Sequence, residues 1–123
     1  MIRAVCLALP LLASICATPI GAQGRTDTAV GATIRVLDKI NGAVADVDLA
    51  NGETRQVGRL LITLGECRYP ADNPAGDAYG WLTIRYSGDA EAVFQGWMIA
   101  SAPALNAMDH PRYDVWALRC TTS

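Results

Sequence analysis

The sequence predicts a small all-β domain, a single antiparallel sandwich or barrel of about seven strands with one short helical turn before the last strand. Two observations predict it. Apolar and polar residues alternate through most of the chain, which is the period of a half-buried strand. Turn-forming residues interrupt this alternation at short intervals, as they do in all-β domains. A chain of 123 residues has room for one domain.

The first residues have the pattern of a secretory signal peptide. Arg3 supplies a positive start, residues 4–18 are largely apolar, and Ala22 ends a group of small residues that offers a cleavage point. We therefore expect residues 1–22 to be removed and the processed chain to be periplasmic or secreted. No later stretch is long enough to be a transmembrane segment.

The processed chain is expected to consist of a flexible N-terminal arm, residues 23–31, and a single β domain, residues 32–123. The arm is small and polar without a hydrophobic period. Lipid anchoring at Cys16 is not expected, because Ile15 before it is bulkier than lipoprotein processing accepts.

The cysteines predict one disulfide. Cys6 and Cys16 fall in the signal peptide, which leaves Cys67 and Cys120 as a pair in an oxidising compartment. They are 53 positions apart, and closing such a loop stabilises a fold by on the order of 4 kcal/mol in the chain-entropy account. Catalytic dithiols are usually close in sequence, which favours the structural interpretation.

The charge balance argues against a nucleic-acid partner. The formal net charge is −2, and loss of Arg3 with the signal peptide makes it more negative. Lys39 is the one lysine of the chain, and the arginines are scattered among acids. Phosphate backbones require a cluster of basic side chains.

The first half of the domain predicts a meander of three or four strands. The strand-like stretches are residues 32–40, 44–49, 53–57 and 60–67. Asn41-Gly42 is typical of a type I′ hairpin turn, and Asn51-Gly52 predicts a second turn. In the last of these stretches Leu60, Ile62 and Leu64 form an inward-facing row, and Gly65 predicts a bend.

The second half adds three strands, residues 79–87, 92–99 and 113–120. Residues 69–77 predict an exposed loop, because they contain Pro70, Asp72, Asn73, Pro74 and Gly76. Residues 102–108 carry the predicted helical turn, with Ser101 as its N-cap.

Several blocks of this sequence resemble one bacterial family. They are residues 32–39, 52–54, 60–67, 96–105, 110–111, 113–116 and 120, of which the most distinctive are GWMIASAPAL at 96–105 and HP-x-YDVW at 110–116. They resemble the uncharacterised family called domain of unknown function 2155 (DUF2155). The resemblance implies export across the inner membrane of a Gram-negative cell and supplies no activity or catalytic residues. Ile99 and Ala102 depart from the usual residues of the family. These two differences concern packing more than chemistry.

Two candidate sites involve His110, the one histidine of the chain. With Asp109 and Asp114 it has the residue types of a metal site, but a zinc site lacks further ligands. With Ser101 and an aspartate it has those of a hydrolytic triad, but the sequence contains no G-x-S-x-G nucleophile elbow. The simpler interpretation is that these side chains cap or hydrogen-bond the backbone.

Three aromatic residues and the histidine are the candidate binding residues. They are Trp81, Trp97, Tyr113 and His110. Trp81 alternates with polar residues and is expected to be exposed, whereas Trp116 is expected in the core. Asp46 and Asp48 lie on the solvated side of their strand, where they discourage pairing between edges.

The leading hypothesis is a non-enzymatic periplasmic β domain that binds or stabilises another envelope protein or a cell-wall component. The alternative is a small envelope hydrolase or isomerase centred on Asp109 and His110. A third possibility is a carrier of a small apolar ligand inside a barrel. We expect no metal and no cofactor, and the sequence does not predict the oligomeric state.

Overall fold

The computed structural model describes residues 24–123 as two antiparallel sheets packed face to face. The predicted signal peptide lies outside these described residues. In chain order the elements are β1 (Thr26–Thr28), β2 (Gly31–Asp38), β3 (Val44–Ala50), β4 (Thr54–Val57), β5 (Leu60–Pro70), β6 (Tyr79–Tyr86), β7 (Ala92–Ile99), a 3-10 turn (Pro103–Asn106) and β8 (Tyr113–Thr121).

The five-stranded sheet has the order β1-β5-β6-β7, with β4 also paired to β5, and the three-stranded sheet has the order β3-β2-β8. The predicted all-β sandwich with a short helical turn before the last strand is therefore confirmed. The sheets do not close into a barrel. The additional strand is β1, which lies where the sequence predicts a flexible arm and pairs with the end of β5.

The predicted meander is wrong in one place. Asn41-Gly42 joins β2 and β3 as a hairpin, but Asn51-Gly52 passes the chain from the three-stranded sheet to β4 in the other sheet. The type I′ prediction is also wrong, because among residues 24–123 only glycines have positive φ. Asn41 instead accepts a hydrogen bond from the Ala43 N–H (2.8 Å) within a longer connection.

Aliphatic side chains fill the space between the sheets. The largest fully buried side chains are Ile34, Leu60, Ile62, Leu64, Leu82, Ile84 and Cys67. The predicted inward row of β5 is confirmed, and a bulge at Gly65 shifts the register between Leu64 and Glu66. This extra residue turns Cys67 back to the interior.

Cys67 of β5 and Cys120 of β8 join the two sheets, with Sγ atoms 2.07 Å apart, at disulfide distance. The pairing is the one that the cysteine count predicts. Within residues 24–123, the structure has no helix with the length and apolar character that crossing a bilayer requires.

The helical segment is shorter than predicted, and its cap differs. The 3-10 turn spans Pro103–Asn106 and has no side-chain N-cap. The Ser101 hydroxyl donates to Asp77 Oδ2 (2.5 Å) instead, and the Ser101 N–H donates to Asp77 Oδ1 (3.0 Å). Ser101 therefore anchors the loop before β6 to the end of β7.

Candidate functional site

Four apolar side chains form a continuous patch on the outer face of the five-stranded sheet. They are Tyr79, Trp81, Trp97 and Ile99, which we call the aromatic face. Trp81 lies opposite Trp97, and Tyr79 lies opposite Ile99, across β6 and β7. The two indole rings meet edge to face, with centroids 5.4 Å apart and planes at 69°. All four side chains are half-buried.

Strand alternation places the aromatic face outward. Leu82 and Met98, the neighbours of Trp81 and Trp97, are buried between the sheets, so the tryptophans point to the opposite side. The bulge on β5 then makes room for Trp81, because a Cβ at Gly65 would lie 2.7 Å from Trp81 Cδ1. Trp81 thus rests on bare backbone on one side and on Trp97 on the other.

A shallow cavity of about 360 Å³ adjoins the aromatic face. Its lining includes Thr26, Arg68 and Trp97. Arg68 donates to Glu66 Oε1 (3.2 Å), which leaves a charged pair at the rim of an apolar depression. An apolar centre with a polar rim can bind the side chains of a protein or peptide, or another largely apolar group.

Tyr113 and His110 lie elsewhere, at one end of the sandwich. Tyr113 is buried, and its hydroxyl accepts a hydrogen bond from the Arg59 N–H (3.1 Å). The His110 imidazole stacks on Tyr86, with centroids 5.0 Å apart. The structure divides the four predicted binding residues into two separate pairs. Trp81 lies against Trp97 on the aromatic face, and Tyr113 lies beside His110 at the end of the sandwich, with ring centroids 5.8 Å apart.

The His110 imidazole organises the chain just before β8. Its Nδ1 accepts hydrogen bonds from the N–H groups of Arg112 (3.1 Å) and Tyr113 (3.2 Å). The ring therefore caps two backbone donors, and Nε2 is its remaining nitrogen for other chemistry. Asp114 contacts Lys39 Nζ at 3.7 Å.

The residue types of a hydrolytic triad do not converge. The Ser101 hydroxyl donates to Asp77, and the structure contains no hydrogen bond between Ser101 and His110. Residues 24–123 contain no group of three histidine, cysteine or acidic side chains placed to hold a metal ion.

An ion pair lies at the end of the sandwich that holds Tyr113 and His110. The Arg112 guanidinium donates to Asp38 Oδ2 from Nη2 (3.0 Å) and Nε (3.3 Å). This hydrogen bonding holds the pKa of the Asp38 carboxyl below its usual value and raises the pKa of Arg112.

The prediction that Trp116 belongs to the core is wrong. Trp116 is half-buried on the outer face of the three-stranded sheet, opposite Arg35, while Val115 and Ala117 face the interior. The reason is a bulge at Leu118, which has no partner between the Ile34–Ala117 and Thr33–Arg119 pairs. The polar Asp114 between Tyr113 and Val115 was the sequence signal that residues 113, 115 and 117 face the interior.

Comparison with known proteins gives a family and one curated relative. The family model described as "Uncharacterized protein conserved in bacteria (DUF2155)" matches residues 32–120. An uncharacterised protein of Rickettsia prowazekii (strain Madrid E) is 32% identical over 90 residues, which cover 71% of this chain and 58% of that protein. The match thus spans somewhat more than half of that relative. No solved structure matches the chain.

Proposed function

The chain belongs to the bacterial family DUF2155, and on that premise we propose that it is an exported, non-enzymatic binding domain. Its aromatic face contacts another component of the cell envelope. The observation that carries the proposal is the placement of Trp81 and Trp97 side by side on the outside of a sheet. The core between the sheets is built mainly from aliphatic side chains instead.

The physical argument concerns what a partner would gain from this face. Large aromatic side chains supply much of the apolar area that stabilises cores and interfaces. Held at 5.4 Å by their strands, the two indoles lose little conformational entropy when a partner covers them. Tryptophan and tyrosine are enriched at the residues that contribute most to protein–protein binding.

Export is supported by the signal-peptide pattern of residues 1–22 and by the cysteine pair. In a Gram-negative host, cell fractionation is expected to place the processed chain in the periplasm. N-terminal sequencing of that chain is expected to begin near Gln23. A chain that retains its first residues and stays in the cytoplasm would contradict the proposal.

The decisive experiment replaces both tryptophans of the aromatic face and leaves the strands intact. The variant Trp81→Thr/Trp97→Thr keeps residues that favour strands. The matched control is Thr83→Ala/Gln95→Ala, which changes the adjacent cross-strand pair on the same outer face. Each chain is cross-linked in intact cells, and the cross-linked envelope proteins are identified by mass spectrometry.

We expect the wild-type chain and the control to capture the same envelope protein and the tryptophan variant to lose it. Loss of a central tryptophan contact costs about 2 kcal/mol or more, which raises Kd by roughly 30-fold. Equal capture by all three chains would exclude the aromatic face as the binding site. Circular dichroism of each purified chain verifies that the sheets are retained.

A further inference from the structure

One edge of the three-stranded sheet carries free backbone groups. Hydrogen bonds of an antiparallel ladder alternate along each strand. The Asp38 N–H donates to the Ala43 carbonyl (2.9 Å), and the Asn51 N–H donates to the Val30 carbonyl (3.1 Å). In the observed register, Ala45, Val47 and Leu49 therefore bond to β2. The backbone groups of Val44, Asp46 and Asp48 point away from it.

Within residues 24–123, β2 is the one strand that pairs with β3, so this edge is open. β7, an edge strand of the other sheet, is protected differently. Asn106, in the 3-10 turn, donates from Nδ2 to the Trp97 carbonyl of β7 (2.8 Å). A side chain thus bonds to an outward carbonyl of β7, whereas the outward groups of Val44, Asp46 and Asp48 have no such cover among the described residues. At the end of β3, the Ala50 carbonyl accepts a hydrogen bond from the Glu53 N–H (3.0 Å).

A cavity lies beside the open edge. Its volume is about 370 Å³, and it runs from Ala43–Ala45 of the β3 side to Val57 and Gly58 of the β4–β5 hairpin, with Val36 and Tyr113 also in its lining. Ala45 is on the inner side of β3, opposite Val36. The lining also contains Arg59 and the Asp38–Arg112 ion pair. A strand added next to β3 would place its inward side chains over this space, whose apolar part includes Ala45 and Val57.

The other side of the edge carries two carboxylates, with the Arg35 guanidinium of β2 beside them. Asp46 and Asp48 are exposed on the outer face of β3. Asp46 accepts two hydrogen bonds from Arg35 (2.8 and 3.0 Å), and Asp48 accepts one from Thr33 (2.6 Å). An added strand would have its outward side chains directly beside these carboxylates, where basic residues give favourable cross-strand pairs.

We propose that the open edge of β3 binds an extended segment of a partner protein as an additional strand. This segment carries lysine or arginine at every second position and apolar residues between them. The basic side chains lie against Asp46 and Asp48, and an apolar one enters the cavity beside Ala45. This site is on the other sheet from the aromatic face and does not depend on it.

A second copy of this chain is a poor occupant of the edge. Two β3 strands paired edge to edge would bring the Asp46 and Asp48 carboxylates of both copies onto one face. Like charges opposite each other destabilise a strand pair. The acidic net charge of the chain also favours a basic partner.

The test uses synthetic peptides of about nine residues with the purified protein. One alternates lysine and valine, one alternates glutamate and valine, and a third has the composition of the first in scrambled order. Affinity is measured by isothermal titration calorimetry, and the bound edge is located by amide chemical-shift changes. The alternating lysine peptide is expected to bind at least ten-fold more tightly than the other two, with shifts along β3.

A proline variant tests the backbone contacts. Val44→Pro removes an outward N–H without removing a bond to β2, and proline is tolerated on edge strands. Its matched control, Val44→Ala, keeps the N–H. We expect Val44→Pro to weaken lysine-peptide binding about ten-fold, as the loss of one hydrogen bond predicts, and Val44→Ala to leave it within two-fold.

Three results would overturn the proposal. The first is absence of binding, or equal binding of the alternating and scrambled lysine peptides. The second is a set of shifts centred on β7 and not on β3. The third is a dimer of the wild-type protein in analytical ultracentrifugation that Val44→Pro abolishes, because the occupant would then be a second copy.

Discussion

Asp38 and Arg112 form an ion pair that ties the end of β2 to the start of β8. Arg112 donates two hydrogen bonds to Asp38 Oδ2, at 3.0 and 3.3 Å, and Asp38 Oδ1 accepts a third from the Ile40 N–H at 3.0 Å. Asp38 is a buried polar residue of the domain. Its carboxylate therefore fixes both the β2–β3 connection and the segment that enters the last strand.

We expect Asp38→Asn to destabilise the domain at neutral pH and to matter less in acid. Because the folded-state pKa of Asp38 is lowered, mainly by the Arg112 hydrogen bond, the ionised carboxylate stabilises the fold above its unfolded pKa of about 4. This stabilisation is lost as the pH falls through the lower folded-state pKa. Thermal unfolding of both chains between about pH 2 and pH 7 measures the effect.

The gap between the two melting temperatures is expected to be widest near pH 7 and to close at the acidic end. Asp72→Asn, in the exposed loop after β5, is the control and is expected to give the same melting temperature as the wild type. A gap for Asp38→Asn that stays constant with pH would contradict the assigned role of the carboxylate.

The inward-facing residues of each strand could be predicted wherever no bulge interrupts the row. Leu60, Ile62 and Leu64 alternate with residues that face outward, and Leu82 and Ile84 do the same, so period two gave their facing correctly. The β7 bounds at 92–99 were also predicted correctly, although Val93 has no partner on β6. Local alternation suffices when each residue has one partner on each neighbouring strand.

Trp116 shows where this reasoning fails. A single extra residue at 118 inverts the facing of everything on one side of it, so Cys120 and Trp116 cannot both be assigned from one period. The role of Asn51-Gly52 also depended on which sheet the next strand joins, which is decided by tertiary packing and not by the local sequence. The contact between Trp81 and Trp97 required the β6–β7 register, which turn composition alone does not give.

Removing the cysteine pair is expected to cost much of the stability of the domain. The two residues are 53 positions apart and join different sheets. The loop entropy released in the unfolded chain predicts a loss on the order of 4 kcal/mol for Cys67→Ala/Cys120→Ala. Urea unfolding followed by circular dichroism measures the loss. A reductant is expected to destabilise the wild type by a similar amount and to leave the variant unchanged; no effect on the wild type would contradict the prediction.

His110 offers a test that separates a structural role from a catalytic one. His110→Ala leaves the N–H groups of Arg112 and Tyr113 without their acceptor, which is expected to cost about 1–3 kcal/mol. In His110→Asn, the amide oxygen lies near the position of Nδ1 and is expected to restore most of this stability. Urea unfolding of the three chains provides the comparison.

The cellular phenotype of the same variants bears on the enzyme alternative. An imidazole that acts only by capping the backbone predicts that His110→Asn retains the wild-type phenotype. If His110→Asn folds as stably as the wild type and yet loses the phenotype, the imidazole has a chemical role and the non-enzymatic proposal is wrong.

Gly65 provides a way to disturb the aromatic face without removing an aromatic residue. In Gly65→Ala the new Cβ would lie 2.7 Å from Trp81 Cδ1, so the indole must move away from its position against Trp97. Gly80→Ala is the matched control, because its Cβ would make an ordinary 3.6 Å contact with Ala117. Near-ultraviolet circular dichroism is expected to change in the first variant and not in the second, with the far-ultraviolet spectrum of both unchanged.

The same pair of variants tests whether a partner requires the arrangement of the two indoles and not merely their presence. Displacing Trp81 separates it from Trp97 and breaks the continuous apolar patch, so binding of the partner is expected to weaken about ten-fold in Gly65→Ala. Gly80→Ala keeps the patch intact and is expected to bind as the wild type does. If Gly65→Ala changes the near-ultraviolet spectrum but binds its partner normally, the edge-to-face contact of Trp81 and Trp97 is not what the partner recognises.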